Sequence, residues 1–103
     1  MLMEKIYILG DIHTITALRL AGVEGRVADK KSVDTHLNEL LERGDAGIVV
    51  ITRQLAEGIP EKIYKINLNL VTPVIIEIPG IDDPRGFGTS IFDFITEALG
   101  ISI

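Results

Sequence analysis

Asp11-Ile12-His13, Thr52-Arg53 and Asp82-Asp83 are the places where this chain gathers groups able to take a proton, hold a cation or attack an electrophile. Each follows a short apolar run, at residues 5–9, 46–51 and 74–78. An acidic residue after the first run and an acceptor aspartate after the run at 46–51 would make a phosphoryl-transfer centre. Here the position after 46–51 is Thr52, and the last run closes on Ile78-Pro79 with no lysine, so phosphotransfer is not expected. The stretch Asp11-Ile12-His13-Thr14-Ile15-Thr16 approaches an Asp-x-His-x-x-Gly pattern, in which the histidine ligates cobalt and the glycine admits a corrin ring, but Thr16 fills the glycine position. His13 is therefore read as an exposed residue near a helix start, and His36, beside an apolar stripe, as filling at a core boundary. A phosphate cradle needs a glycine-rich turn that brings backbone N–H groups to the anion, and Gly10 stands alone. Asp82 and Asp83 lie between Pro79-Gly80 and Pro84, where adjacent carboxylates favour solvated turns over acid-base work. No catalytic residue, cofactor or metal ligand is assigned.

The elements that must position these groups alternate along the chain. Residues 5–9 are almost continuously apolar, which suits a strand covered on both faces, and Gly10-Asp11 closes it. A helix over 14–21 carries Ile15 and Leu18, with Gly22 to stop it. Residues 26–28 suit a brief second strand. Ser32 is placed to cap a helix whose Val33, Leu37, Leu40 and Leu41 form one stripe, with Arg43 in its last turn and Gly44 beyond. Residues 46–51 are the strongest strand, apolar and β-branched as in the centre of a parallel sheet. A polar turn at 52–54 then leads to a helix begun by Pro60, with Ile63, Ile66 and Leu70 on one side. Residues 74–78 predict a fourth strand, and Ile91, Ile95 and Leu99 predict a final helix over about 90–99.

Alternation of this kind predicts an α/β fold: a four-stranded parallel sheet, order 2-1-3-4, with helices on both faces, a relative of the flavodoxin and response-regulator arrangement. One domain over 1–103 is expected, with 1–80 as the core and 81–103 as a loop and C-terminal helix able to move. In such sheets partners and ligands gather at the carboxyl ends of the strands, where Asp11, His13, Thr52, Arg53, Asp82, Asp83 and Arg85 should meet.

Composition narrows the functions. The formal charge of −5 and ten scattered Lys and Arg residues argue against nucleic acid and acidic lipid surfaces. Five aromatic residues, none of them Trp, leave little for base stacking. The chain has no cysteine, so disulfides, thiol nucleophiles and thiolate metal sites are excluded. No apolar run approaches the ~18–20 residues that span a bilayer, and residues 1–5 lack the features of a signal peptide, so a cytoplasmic protein without direct membrane insertion is expected.

Three segments carry a resemblance. Ile8-Leu9-Gly10-Asp11 with Thr14, Thr16 and Leu18-Arg19-Leu20-Ala21-Gly22-Val23 is similar to the amino-terminal signature of the F subunit of V-type and archaeal-type rotary ATPases. Gly47-Ile48-Val49-Val50-Ile51-Thr52 followed by Arg53-Gln54-Leu55-Ala56, and Thr72-Pro73-Val74-Ile75-Ile76-Glu77-Ile78-Pro79-Gly80, resemble that family's third and fourth strands with their turns. Ala17 departs from the pattern, standing where many members carry an aromatic or larger residue. The resemblance implies a non-catalytic rotor component of the central stalk that binds the coiled-coil D subunit near the catalytic A and B headpiece, peripheral to the membrane. It also implies a carboxyl-terminal regulatory helix, here Ile91, Phe92, Ile95 and Leu99. For partner contact the expected residues are Asp11, Thr14, Arg19, Arg53 and Arg85, arginine being favoured at interfaces. The alternatives are a small flavodoxin-like ligand-binding domain or enzyme using the cleft between strands 1 and 3, and a receiver relative that has lost its phosphoacceptor.

Overall fold

A computed structural model describes residues 4–82. The order of elements is β1 (Lys5–Gly10), α1 (Ile12–Leu20), β2 (Glu24–Val27), α2 (Val33–Arg43), β3 (Ala46–Thr52), α3 (Arg53–Ala56), α4 (Pro60–Asn69) and β4 (Val74–Ile78). The four strands form one parallel sheet in the order β2-β1-β3-β4, as the alternation requires. Register places Ile8 beside Val50 and Val50 beside Ile76, a row of branched side chains on one face. The neighbouring row, Tyr7, Val49 and Ile75, lies on the other face.

Each row is the floor of its own core. Ile8, Val50, Ile76 and Ile78 bury Ile15 and Leu18 of α1, with Val23 and Ile48 at the margin. Tyr7, Leu9, Val49, Ile51 and Ile75 bury Val33, Leu37 and Leu40 of α2, Leu55 and Ala56 of α3 and Ile66 of α4. Helices thus cover both faces of the sheet. Each fully buried aliphatic side chain contributes about 1.5–3 kcal/mol, which is why strands with no polar alternation are tolerated.

The differences from the sequence expectation have local causes. α1 begins at Ile12 rather than residue 14, because the Asp11 carboxylate accepts from the His13 and Thr14 amides and starts the helix two residues earlier. Ser32 occupies the cap position of α2 without capping it through its side chain. The Asp29 carboxylate binds the Lys31 and Ser32 amides instead, and the Ser32 hydroxyl accepts from the Asp29 amide. At the other end of α2, Gly44 has φ 73°, the left-handed closure expected of a glycine there. The second strand runs over Glu24–Val27, earlier than expected. The supposed polar turn after β3 is the short helix α3. Leu70 lies beyond α4 and is 46% exposed, so that helix buries Ile66 while Ile63 is only half-buried.

The edge strand β4 is held by a side chain. Asn67 donates from Nδ2 to the Ile75 carbonyl (3.1 Å) and accepts the Ile75 amide on Oδ1 (2.8 Å), satisfying backbone groups that an edge strand would otherwise leave open. At the amino end of the sheet, the buried Tyr7 hydroxyl donates to both carboxylate oxygens of Asp45, at 2.9 and 2.8 Å. The Arg43 guanidinium lies 5.6 Å from the Tyr7 ring centroid and 3.6 Å from Asp45.

Candidate functional site

The carboxyl ends of the strands form a rim, and the loops after β1, β2 and β4 are tied together there. Asp11 Oδ2 accepts from the His13 and Thr14 amides, both at 3.1 Å, and Oδ1 accepts from the Thr14 hydroxyl at 2.6 Å. Thr14 Oγ1 in turn accepts the amide of Ile81, at 3.0 Å, across 67 residues of sequence. The Ala28 amide donates to the Gly10 carbonyl at 3.0 Å, which joins the exit of β2 to the same corner. Gly10 is required by closeness: a Cβ at that position would stand 2.8 Å from Thr52 Cγ2.

These ties surround an open cleft of ≈ 280 Å³ lined by Asp11, His13, Thr52, Gln54, Gly80 and Asp82, over a floor that includes Ala28 and Leu55. Thr52 is 2% exposed and Thr14 likewise. Desolvation works to raise the Asp11 carboxyl, but the bonds from the Thr14 hydroxyl and from the Thr14 and His13 amides outweigh it and hold the group below its ordinary value. Asp11 is therefore a fixed anion across the neutral range, engaged in holding the first turn of α1.

The expected contact residues separate in space. Asp11 and Thr14 are at the rim, and Thr14 is buried, its hydroxyl donating to the Asp11 carboxylate and accepting the Ile81 amide. Arg53 follows β3 and turns toward β4, its Nε 3.5 Å from Glu77 Oε1, and it does not line the cleft. Arg19 is exposed in the last turn of α1, at the far end of a helix that carries it about 12 Å from the rim. Arg85, Asp83 and the expected regulatory residues Ile91, Phe92, Ile95 and Leu99 lie outside the described residues. His13 is exposed as expected, and His36 is half-buried with its Nδ1 buried and unpartnered among the described residues. Gln54 and Gly80 join the cleft without having been singled out. Their only signal was position, just after β3 and β4, where residues of a doubly wound sheet meet.

Among the described residues no group of three His, Cys, Asp or Glu side chains is arranged to hold a metal ion, and no helix is long and apolar enough to cross a membrane. A larger depression of ≈ 620 Å³ beside the start of α4 is shallow, and its Lys62 is already bound to Asp34 and Asn38. The fold and rim together define a small doubly wound α/β domain whose strand ends are knitted by a capping aspartate and the Thr14 hydroxyl, not by a phosphate-binding turn. A model of the ATP synthase (F/14-kDa) subunit family matches residues 6–94, and the chain belongs to that family.

Relatives agree over nearly the full length. The chain is similar to the F subunit of the A-type ATP synthase of Pyrococcus abyssi, 35% identical over 108 residues, with 96% of this chain and 97% of the relative covered. It is similar to the A-type F subunit of Thermococcus kodakarensis, at 31% identity with the same coverage. The F subunit of the V-type ATP synthase of Fusobacterium nucleatum is 29% identical over 99% of this chain and 97% of its own length. Among solved structures, the crystal structure of the V-type ATP synthase F subunit from Archaeoglobus fulgidus matches with a TM-score of 0.62 at 19% identity. That match covers 73% of this chain and 96% of that one, and it speaks to the fold.

Proposed function

We propose that the chain is a non-catalytic central-stalk subunit of a V/A-type rotary ATPase, binding the coiled-coil D subunit beside the A and B headpiece. In that position it helps couple ATP synthesis or hydrolysis to proton or sodium transport at the cytoplasmic side of the membrane. The observation that carries this reading is family membership along almost the whole chain, through relatives whose names place them in A-type and V-type ATP synthases. The rim is consistent with it. Asp11 and Thr14 are occupied in holding loops together, which suits a rigid docking surface better than a centre that must exchange protons. The carboxyl-terminal segment that carries Ile91, Phe92, Ile95 and Leu99 is proposed to regulate turnover.

The test is purification of the tagged chain from membranes of its own organism, followed by identification of the co-purifying proteins. Stoichiometric recovery of the A, B and D subunits, in a complex that hydrolyses ATP, is the expected result. Recovery of the chain alone, while A, B and D migrate together without it, contradicts the reading.

A further inference from the structure

The cleft at the rim carries two carboxylates, and no cationic Lys or Arg side chain among the described residues offsets them. Asp11 and Asp82 both line it, and neither carboxylate is ion-paired with a described residue. No Lys or Arg among the described residues lines it. Thr52, 2% exposed, turns its methyl toward Gly10, so the hydroxyl is the part of the side chain left to the cleft, and it has no hydrogen-bond partner among the described residues. The Thr52 hydroxyl is not sealed from water, so it is open to a hydrogen bond from a group that enters the cleft. Gln54 adds a side-chain amide on the same wall, close to Gly80.

These features select a ligand chemistry. An anion is disfavoured by two carboxylates, and the His13 and Thr14 amides that would bind it at the start of α1 are already taken by Asp11. A metal ion is not favoured either, since among the described residues no three His, Cys, Asp or Glu side chains are arranged to hold one. At ≈ 280 Å³ the cleft is below the range of pockets that take drug-sized ligands, which leaves a single side chain. A planar group with several N–H donors and a fixed positive charge can meet Asp11, Asp82, the Thr52 oxygen and the Gln54 carbonyl together, where an ammonium would reach fewer. We propose that the cleft between Asp11, Thr52 and Asp82 receives an arginine side chain from a neighbouring subunit of the ATPase. This rests on the docking role proposed above and deepens it by naming a contact and its chemistry. The hydroxyl of Thr52 and the carboxylate of Asp82 then act as specificity determinants, while Asp11 supplies charge already oriented by α1.

The experiment compares the full chain with Thr52→Val and Asp82→Asn in calorimetric titrations against the stalk and headpiece subunits, at low and high salt. Valine replaces threonine at nearly the same volume and breaks no internal bond, so that variant folds, and Asp82 is exposed. Each variant is expected to bind about five- to tenfold more weakly, and Asp82→Asn to show a flatter salt dependence. Affinities within about twofold of wild type for both variants overturn the arginine contact and leave the docking role intact. If the wild-type chain forms no complex at all, it is the docking role that fails. Amide spectra of the labelled chain then decide the cleft, with acetyl-arginine amide and its neutral analogue acetyl-citrulline amide as probes. Saturable shifts at Thr14, Thr52 and Ile81 with arginine only support the site, and equal or absent shifts refute it.

Discussion

Thr14 is the side chain on which the rim turns. Its hydroxyl donates to Asp11 and accepts from Ile81 in a site that is 2% exposed, so Thr14→Val strands a carboxylate oxygen and a backbone amide together. A loss of about 1.5–3 kcal/mol is expected in denaturant unfolding, against a few tenths for a surface threonine such as Thr16. Asp45 sets a different dependence. The Tyr7 hydroxyl, then Arg43 and Lys5, hold its carboxyl below the ordinary aspartate value of 3.8 in spite of some desolvation. A carboxyl lowered on folding contributes stability that is complete above its unfolded value and is lost as pH falls through its folded value. Asp11 behaves in the same sense. The unfolding midpoint should therefore hold steady from pH 7 to about 5 and decline below about 4, with a shallower decline in Asp45→Asn. The sequence marked Asp11 as a rim residue because it follows an apolar strand. It could not show that this carboxylate also caps α1, since capping and partner contact both place aspartate just after a strand. The burial of Thr14 was equally hidden, because it depends on Ile81, far along the chain.

Among the elements, β4 is the one whose edge needs outside help. Asn67 on α4 supplies both a donor and an acceptor to Ile75, and Asn67→Ala leaves that strand residue to water, at a cost of about 1–2 kcal/mol. Amide exchange should report it first at residues 74–78, with β1 and β3 little changed, because the loss is confined to one edge. Strand identity and order were readable because residues 5–9, 46–51 and 74–78 are apolar on both faces, a pattern that only a doubly covered parallel strand requires. Boundaries were less readable where side chains compete with backbone. Asp11 moved the start of α1, Asp29 took the capping work expected of Ser32, and the polar residues after Thr52 entered a helix. The short strand β2 has only partly buried or exposed residues, so no strong apolar signal fixed its limits.

At the scale of the whole molecule, two cores on either side of one sheet hold a rim whose loops are bound to each other. A surface held in this way loses little freedom on binding, which favours a partner that is itself rigid. The family was legible in three sequence segments that fall on β1 with α1, on β3 with α3, and on β4. Those segments carry the two central strands, the edge strand β4 and the turns that form the rim, so fold and family could be read from the same residues. Two of the expected contact residues stand apart, Arg19 in the last turn of α1 and Arg53 at the start of α3, because the helices that bear them lie at different places in the domain. The measurement that tests the central claim most directly is co-expression of this chain with the coiled-coil stalk subunit of the same genome, read by size-exclusion chromatography with light scattering. A stable one-to-one complex is the predicted result. Two separately folded proteins that elute apart at micromolar concentration would contradict it.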